Sequence, residues 1–190
     1  MKIMEEIRSY VPCNQQEAGD REVILQALET EQDIFTRKNR LAHMCASAWV
    51  VNHQRTKVLM AYHNIYQSWA WLGGHADGEE DLRKVALREV SEESGLHSIT
   101  AVSQEIFSLE VLPVDGHMKH GAYVPAHLHL NVTYLVEADE EETLTGKADE
   151  NSGTAWFSPE EAVEKSTEPW IREHIYRKLN EKLRCLQKNT

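Results

Sequence analysis

The stretch REVSEESG, residues 88–95, places Glu89, Glu92 and Glu93 at helical spacings i, i+3 and i+4. At ~100° per residue, Glu92 and Glu93 fall about 60° and about 40° to either side of Glu89. On the same wheel Leu82, Val85 and Ala86 lie within about 60° of Glu89, and Val90 within about 100°, so the carboxylates continue the apolar stripe rather than oppose it. A solvated charged face, the ordinary explanation of a Glu-rich helix, fits that placement poorly. Anions near a helix C-terminus are disfavoured by ~0.3–1 kcal/mol each, and like charges at these spacings repel. Arg88 alone cannot neutralise three carboxylates. Hard oxygen donors converging from one helix face suit Mg2+, which takes a few carboxylates, keeps several waters and draws its other ligands from substrate phosphates.

Ahead of the glutamates stands WLGGHADGE, residues 71–79. Gly73 and Gly74 let the backbone approach a ligand closely, and the turn leads to a helix N-terminus, a setting suited to phosphate. Asp77 followed by Glu80 reads as a capping box and Gly95 as a C-terminal stop, which predicts a helix over 78–94.

Taken together, residues 74–96 resemble the signature of the Nudix hydrolases, G-x5-E-x7-R-E-U-x-E-E-x-G-U with U a bulky aliphatic residue. Gly74, Glu80, Arg88, Glu89, Val90, Glu92, Glu93, Gly95 and Leu96 meet every fixed position. The flanking strands and the closing AWFSPEEAV extend the resemblance over about residues 45–165. The resemblance implies a Nudix-type α/β/α sandwich with a mixed sheet. It also implies divalent-metal-dependent cleavage of a nucleoside diphosphate linked to another moiety, with Mg2+ as the ion and Mn2+ as the alternative. Glu89, Glu92 and Glu93 would ligate the metal, joined by the carbonyl of Gly73, and Arg88 would orient a glutamate by a salt bridge. Glu80 would be mainly structural. Glu150, six residues before Trp156, would add a loop carboxylate as metal ligand or second candidate base, with Asp149 its neighbour. Glu89, at the centre of the converging face, is the favoured general base. Leu72 stands where many family members carry proline, which bears on the shape of the loop.

These residues need a scaffold, and the chain supplies one. At 190 residues, 41% hydrophobic and 27% charged, it suits a folded domain of α/β class with a helical extension. Residues 1–40 are expected to form the helical N-terminal extension, with Val23, Ala27, Leu28, Ile34 and Phe35 at helical spacing over 20–35; residues 41–190 would form the hydrolase domain. CASAWVVN (45–52) and KVLMAYH (57–63) read as a hairpin, and strands are expected at 105–112, 128–138 and 154–157. A short helix follows Ser158-Pro159, and a final one over 168–186 carries Trp170, Ile171, Ile175, Leu179, Leu183 and Leu186 on one side. Residues 113–127 and 139–153 are unusually long connections, which favours a functional reading of them.

The remaining signals bound the partners. Thirty-one acidic against 20 basic residues give a formal charge of -11 without a basic concentration, which argues against long nucleic acid. No run is long enough to cross a bilayer, and the N-terminal residues lack the apolar centre of a secretory signal, so a cytoplasmic location is expected. Cys13, Cys45 and Cys185 lack paired spacing, against a disulfide or zinc framework. His127 and His129 alternate on one strand, with His117 and His120 before them; HxH spacing can bind zinc, but no third ligand is readable, and a polar lining of the substrate cleft is the favoured reading. His75 and His129, with Gly74, are the candidate substrate contacts. Trp49, Trp69, Trp71 and Trp156 could stack on a base but more often serve as core. A small-molecule diphosphate is the expected partner, and a homodimer the candidate assembly. Two rivals share the fold. A ligand-sensing module would be expected to lose a signature carboxylate, and an isopentenyl-diphosphate-type isomerase would need recognisable surroundings at Cys45, which HMCASAW does not supply.

Overall fold

The structure is a computed structural model that describes residues 1–64, 67–119, 121–146 and 151–188. It opens with two helices, α1 (Lys2–Ser9) and α2 (Gln15–Thr30). Asn14 caps α2 by accepting the backbone N–H of Glu17 at 2.9 Å, so the helix starts earlier than hydrophobic spacing indicates. It also ends before Ile34 and Phe35. Asp33 adopts φ 54°, which a continuous helix cannot cross, and the two apolar residues are buried from turns instead.

The strands are β1 (Ala42–Asn52), β2 (Val58–His63), β3 (Ser68–Ala70), β4 (Leu72–His75), β5 (Ile99–Ala101), β6 (Ser108–Val114), β7 (His117–Lys119), β8 (Ala122–Val124), β9 (His127–Ala138) and β10 (Asn151–Phe157). Helix α3 (Leu82–Ser94) precedes β5; α4 (Pro159–Lys165), a π-helical segment (Ile171–Tyr176) and α5 (Arg177–Lys188) follow β10. The main sheet runs β10-β2-β1-β9-β5, with β3 on β2, β4 on β1 and β6 on β9. The hairpin expected from CASAWVVN and KVLMAYH is present, with Val50 opposite Leu59. Between β1 and β9 the contacts advance together along both chains: Leu41 with Leu128, Ser47 with Asn131, His53 with Glu137. That pair is therefore parallel while its neighbours are antiparallel, which makes the sheet mixed.

The chain divides into two compact units. The first comprises Met1–Ser47, Gly73–Ala86 and Gln104–Tyr134; the second comprises Ala48–Leu72, Leu87–Ser103 and Leu135–Thr190. In the first, α2 packs on β6, and β6 pairs with β9 from Ser108↔Thr133 to Val114↔His127. Ile7, Ile24, Leu109, Leu130 and Val132 form its core. A buried polar chain accompanies them. Glu17 receives the hydroxyl of Tyr10 (2.6 Å), the N–H of Cys13 (2.8 Å) and the hydroxyl of Ser108 (2.7 Å), which fastens the N-terminal helices to β6. The long connection 113–127 contains the β7–β8 hairpin.

In the second unit, β10 pairs with β2 and β5 with the end of β9. Ser158 and Glu161 close a full capping box on α4. The C-terminal apolar stripe is shorter than its spacing suggests. Ile175, Leu179 and Leu183 are buried, but Trp170 and Leu186 are exposed. The π-helical segment, with its i→i+5 bonding, changes the angular phase upstream of Arg177 and turns Trp170 off the buried line. Among the described residues no helix is long and apolar enough to cross a membrane.

Candidate active site

The approach to the acidic helix is fixed by close backbone packing. A Cβ at Gly73 would lie 2.5 Å from Ser47 Oγ and 2.6 Å from the carbonyl of Ala46, so only glycine lets β4 sit this near β1. The N–H of Ala76 then bonds the carbonyl of Met44 at 3.0 Å. Next the chain turns through two left-handed residues, Asp77 (φ 47°) and Gly78 (φ 96°). This corrects the expected helix start. Asp77 does not cap; its carboxylate receives a bidentate pair from Arg37 at 2.8 and 2.7 Å. The cap is Asp81, whose Oδ1 accepts from the N–H of Lys84 at 3.3 Å, and α3 begins at Leu82 rather than Gly78. Glu80 accordingly lies exposed ahead of the helix and makes no capping box.

Along α3 the apolar face is as computed from spacing: Leu82, Val85, Ala86 and Val90 are buried. Two glutamates share that burial. Glu89 is 9% exposed and Glu93 5%, whereas Glu92 is exposed at the edge of the face. Arg88 Nη2 lies 2.7 Å from Glu89 Oε1, and its Nε 3.8 Å from Glu92 Oε1. Asn151 Nδ2 donates to Glu93 Oε1 at 3.4 Å. Asn151 carries no motif signal; its place at the start of β10 emerges only from the pairing of β10 with β2.

The end of α3 is fixed by a tight turn. No basic residue stands in its last turn. Gly95 takes φ 75°, and a Cβ there would lie 1.8 Å from Thr145 Oγ1. The N–H of Thr145 bonds the carbonyl of Ser94 at 2.8 Å. Glu142 accepts the N–H groups of His97 and Ser98 at 2.9 and 3.1 Å, bonds that hold its carboxyl below the usual carboxylate range. The connection after Ala138 is thereby fastened to the helix terminus.

A second constellation lies in the first unit. Ligand atoms of His43, Cys45, His75 and His129 fall within 4.8 Å of one another. His129 Nε2 is 3.2 Å from His75 Nε2 and 3.2 Å from His127 Nε2, and the His43 and His127 rings stack at 4.8 Å. Burial, then the neighbouring His75, His43 and His127, holds the His129 imidazole down at about 2; burial also lowers His43. Sequence spacing showed His127 and His129 as a pair but gave no sign that His43 and Cys45 on β1 would join them. His117 stands further off, its ring 6.5 Å from that of His127, and His120 lies outside the described residues.

Comparison with known proteins identifies the family. The sequence matches the family described as the NUDIX domain over residues 41–179. The chain belongs to the Nudix hydrolase family. Its fold is similar to that of the C. elegans Ap4A hydrolase binary complex, at 16% identity over 77% of this chain and 98% of that one, with a TM-score of 0.56. A NUDIX-family hydrolase from Clostridium perfringens matches at 22% identity over 76% and 97%, with a TM-score of 0.51. The M. smegmatis Nudix hydrolase RenU matches at 15% over 73% and 84%, also at 0.51. No curated protein matches the sequence.

The Nudix signature thus spans β4, the left-handed turn and α3. Leu72, where other Nudix chains often have proline, is fully buried. Glu150 and Asp149, expected to complete the Nudix carboxylates, lie outside the described residues. Of the tryptophans, Trp49 is core, tilted against Tyr176 at 5.3 Å between ring centres. Trp69, Trp71 and Trp156 are half-buried; Trp69 meets the Phe157 ring edge-on at 4.9 Å.

Proposed function

We propose that the protein hydrolyses a diphosphate linkage in a nucleoside diphosphate joined to another moiety, using Mg2+, with Mn2+ as alternative, held by Glu89, Glu92 and Glu93. One observation carries the reading: Glu89 and Glu93 are buried on the apolar side of α3, beside an exposed Glu92, at the end of a helix whose last turn holds no cation. Burying carboxylates is costly without compensating positive charge; Arg88 meets Glu89, and an all-oxygen donor set presented from one face also fits a hard divalent ion.

When bound, the ion would neutralise charge on the diphosphate and acidify a water molecule. Glu89 would accept the proton of the attacking water at a carboxylate oxygen. Arg88, on Oε1 of Glu89, would hold that carboxylate in one rotamer. Asn151 would fix Glu93 through Oε1. Glu150, adjacent in sequence to Asn151, is the second candidate base, and Gly74 a candidate contact for phosphate. The displaced group leaves as a phosphate-containing product.

The test is a product-release screen with Mg2+ over nucleotide sugars, dinucleoside polyphosphates including Ap4A, dinucleotide cofactors and nucleoside triphosphates, with the nucleoside monophosphate and its partner product resolved by chromatography. Release that requires the divalent ion supports the reading. Ligand binding without release across the panel would favour the sensing module instead. A cytoplasmic location and a homodimer belong to the same reading; a monomeric mass in solution would remove the dimer.

A further inference from the structure

The histidines of the first unit converge from three strands: His43 and Cys45 on β1, His75 on β4, and His127 and His129 on β9. We propose that His43, Cys45, His75 and His129 form a Zn2+ site that ties β1, β4 and β9 together. The inference does not rest on the hydrolase reading, since none of these residues is a signature carboxylate. It gives His75 and His129 to a metal rather than to substrate.

The hydrogen-bond pattern sets the ring tautomers. His43 Nδ1 faces the carbonyl of Asn39 at 3.1 Å, and His127 Nδ1 faces that of Pro125 at 2.8 Å. A carbonyl only accepts, so in each neutral ring Nδ1 carries the proton and Nε2 presents a lone pair. Backbone carbonyls hold metal-binding histidines in this way. His43 is 4% exposed, yet its Nε2 has no hydrogen-bond partner. An unmet buried acceptor is uncommon, and a cation would satisfy it.

The packing of nitrogens points the same way. His129 Nε2 stands 3.2 Å from two other Nε2 atoms, and a single proton there cannot serve both well. Zinc bound to nitrogen at roughly 2.0–2.1 Å in tetrahedral geometry sets ligand nitrogens about 3.3 Å apart, close to this spacing. Cys45, buried on β1 with its sulfur in the same cluster, adds a soft donor. Three imidazoles with one thiolate favour Zn2+ and disfavour Mg2+ or Ca2+, which take oxygen ligands. On binding, the Cys45 S–H bond breaks, the sulfur keeps the electron pair for the metal, and the proton passes to solvent.

The experiment uses the full chain, stripped with a chelator and dialysed, titrated separately with Zn2+, Co2+ and Mg2+. Expected are about one Zn2+ bound per chain, a higher melting temperature with Zn2+, and with Co2+ the intense visible bands of a tetrahedral site plus a thiolate charge-transfer band. Cys45→Ser should abolish the charge-transfer band, and His129→Ala should weaken Zn2+ binding more than about 100-fold. Glu89→Gln should bind Zn2+ as the unaltered chain does, so loss of hydrolysis and loss of this site are read separately. Substoichiometric Zn2+ with no rise in melting temperature, or an octahedral Co2+ spectrum, overturns the proposal even if the variants fail to fold, because the unaltered chain gives both readouts. A tetrahedral spectrum unchanged in Cys45→Ser overturns the assignment of Cys45.

Discussion

At the scale of single residues, the sequence shows most about α3 and least about what surrounds it. Glu89, Glu92 and Glu93 share a face by arithmetic alone, but only the structure separates the buried pair from the exposed Glu92. If Glu89 is the base, Glu89→Gln should leave the fold intact and lower turnover by at least about 100-fold, whereas Glu80→Gln, outside the helix and exposed, should change it little. Steady-state rates with far-ultraviolet circular dichroism check both, and near-normal turnover in Glu89→Gln would remove the assignment. No capping box forms at Asp77 and Glu80, because Asp77 is left-handed and held by Arg37, forty residues earlier, which spacing does not reveal. Tyr10 supplies a second residue-scale prediction. Its phenol is pushed up, first by burial and then by its hydrogen bond to Glu17. The folded chain keeps that proton where the unfolded one, near 10.0, releases it, so this contribution is full below pH 10 and is lost as pH rises beyond it. Tyr10→Phe should lower stability at neutral pH by about 1–3 kcal/mol and flatten the decline of melting temperature above pH 10.

At the scale of elements, periodicity located β1, β2, β9, α4 and the C-terminal helix well, because each is long or sharply capped. The three-residue strands β3, β5, β7 and β8 escaped, since so short a run carries no readable alternation and exists through its partner. Gly95 is the clearest device at this scale: it meets both a left-handed backbone and the close approach of Thr145. Gly95→Ala should cost about 1–3 kcal/mol from the backbone alone, read as a lower urea midpoint. Thr145→Ala in the same chain should recover only part of the loss, because it relieves the contact and not the φ angle. Full recovery would show that crowding alone sets the requirement.

At the scale of the whole molecule, a mixed sheet with helices and an N-terminal helical segment was legible from the alternation of strand and helix patterns. The histidine cluster was not, because it joins residues of β1, β4 and β9 whose neighbourhood is a product of strand order. The same holds for Glu17, which reads on its own as an ordinary helix acid yet is fully buried. The acidic excess predicts a solution property: association of the chain with polyanions should be negligible at moderate ionic strength, and detectable DNA binding at about 0.15 M salt would contradict that reading.

The hollow left by the missing side chain at position 95 is filled from position 145, so the acids of α3 and the span after Ala138 are mechanically one piece. Surface spans usually absorb added or removed residues with little harm. Here a change of even a single residue between Ala138 and Thr145 would draw the threonine out of its seat, and the cost would be felt in the aim of the glutamates.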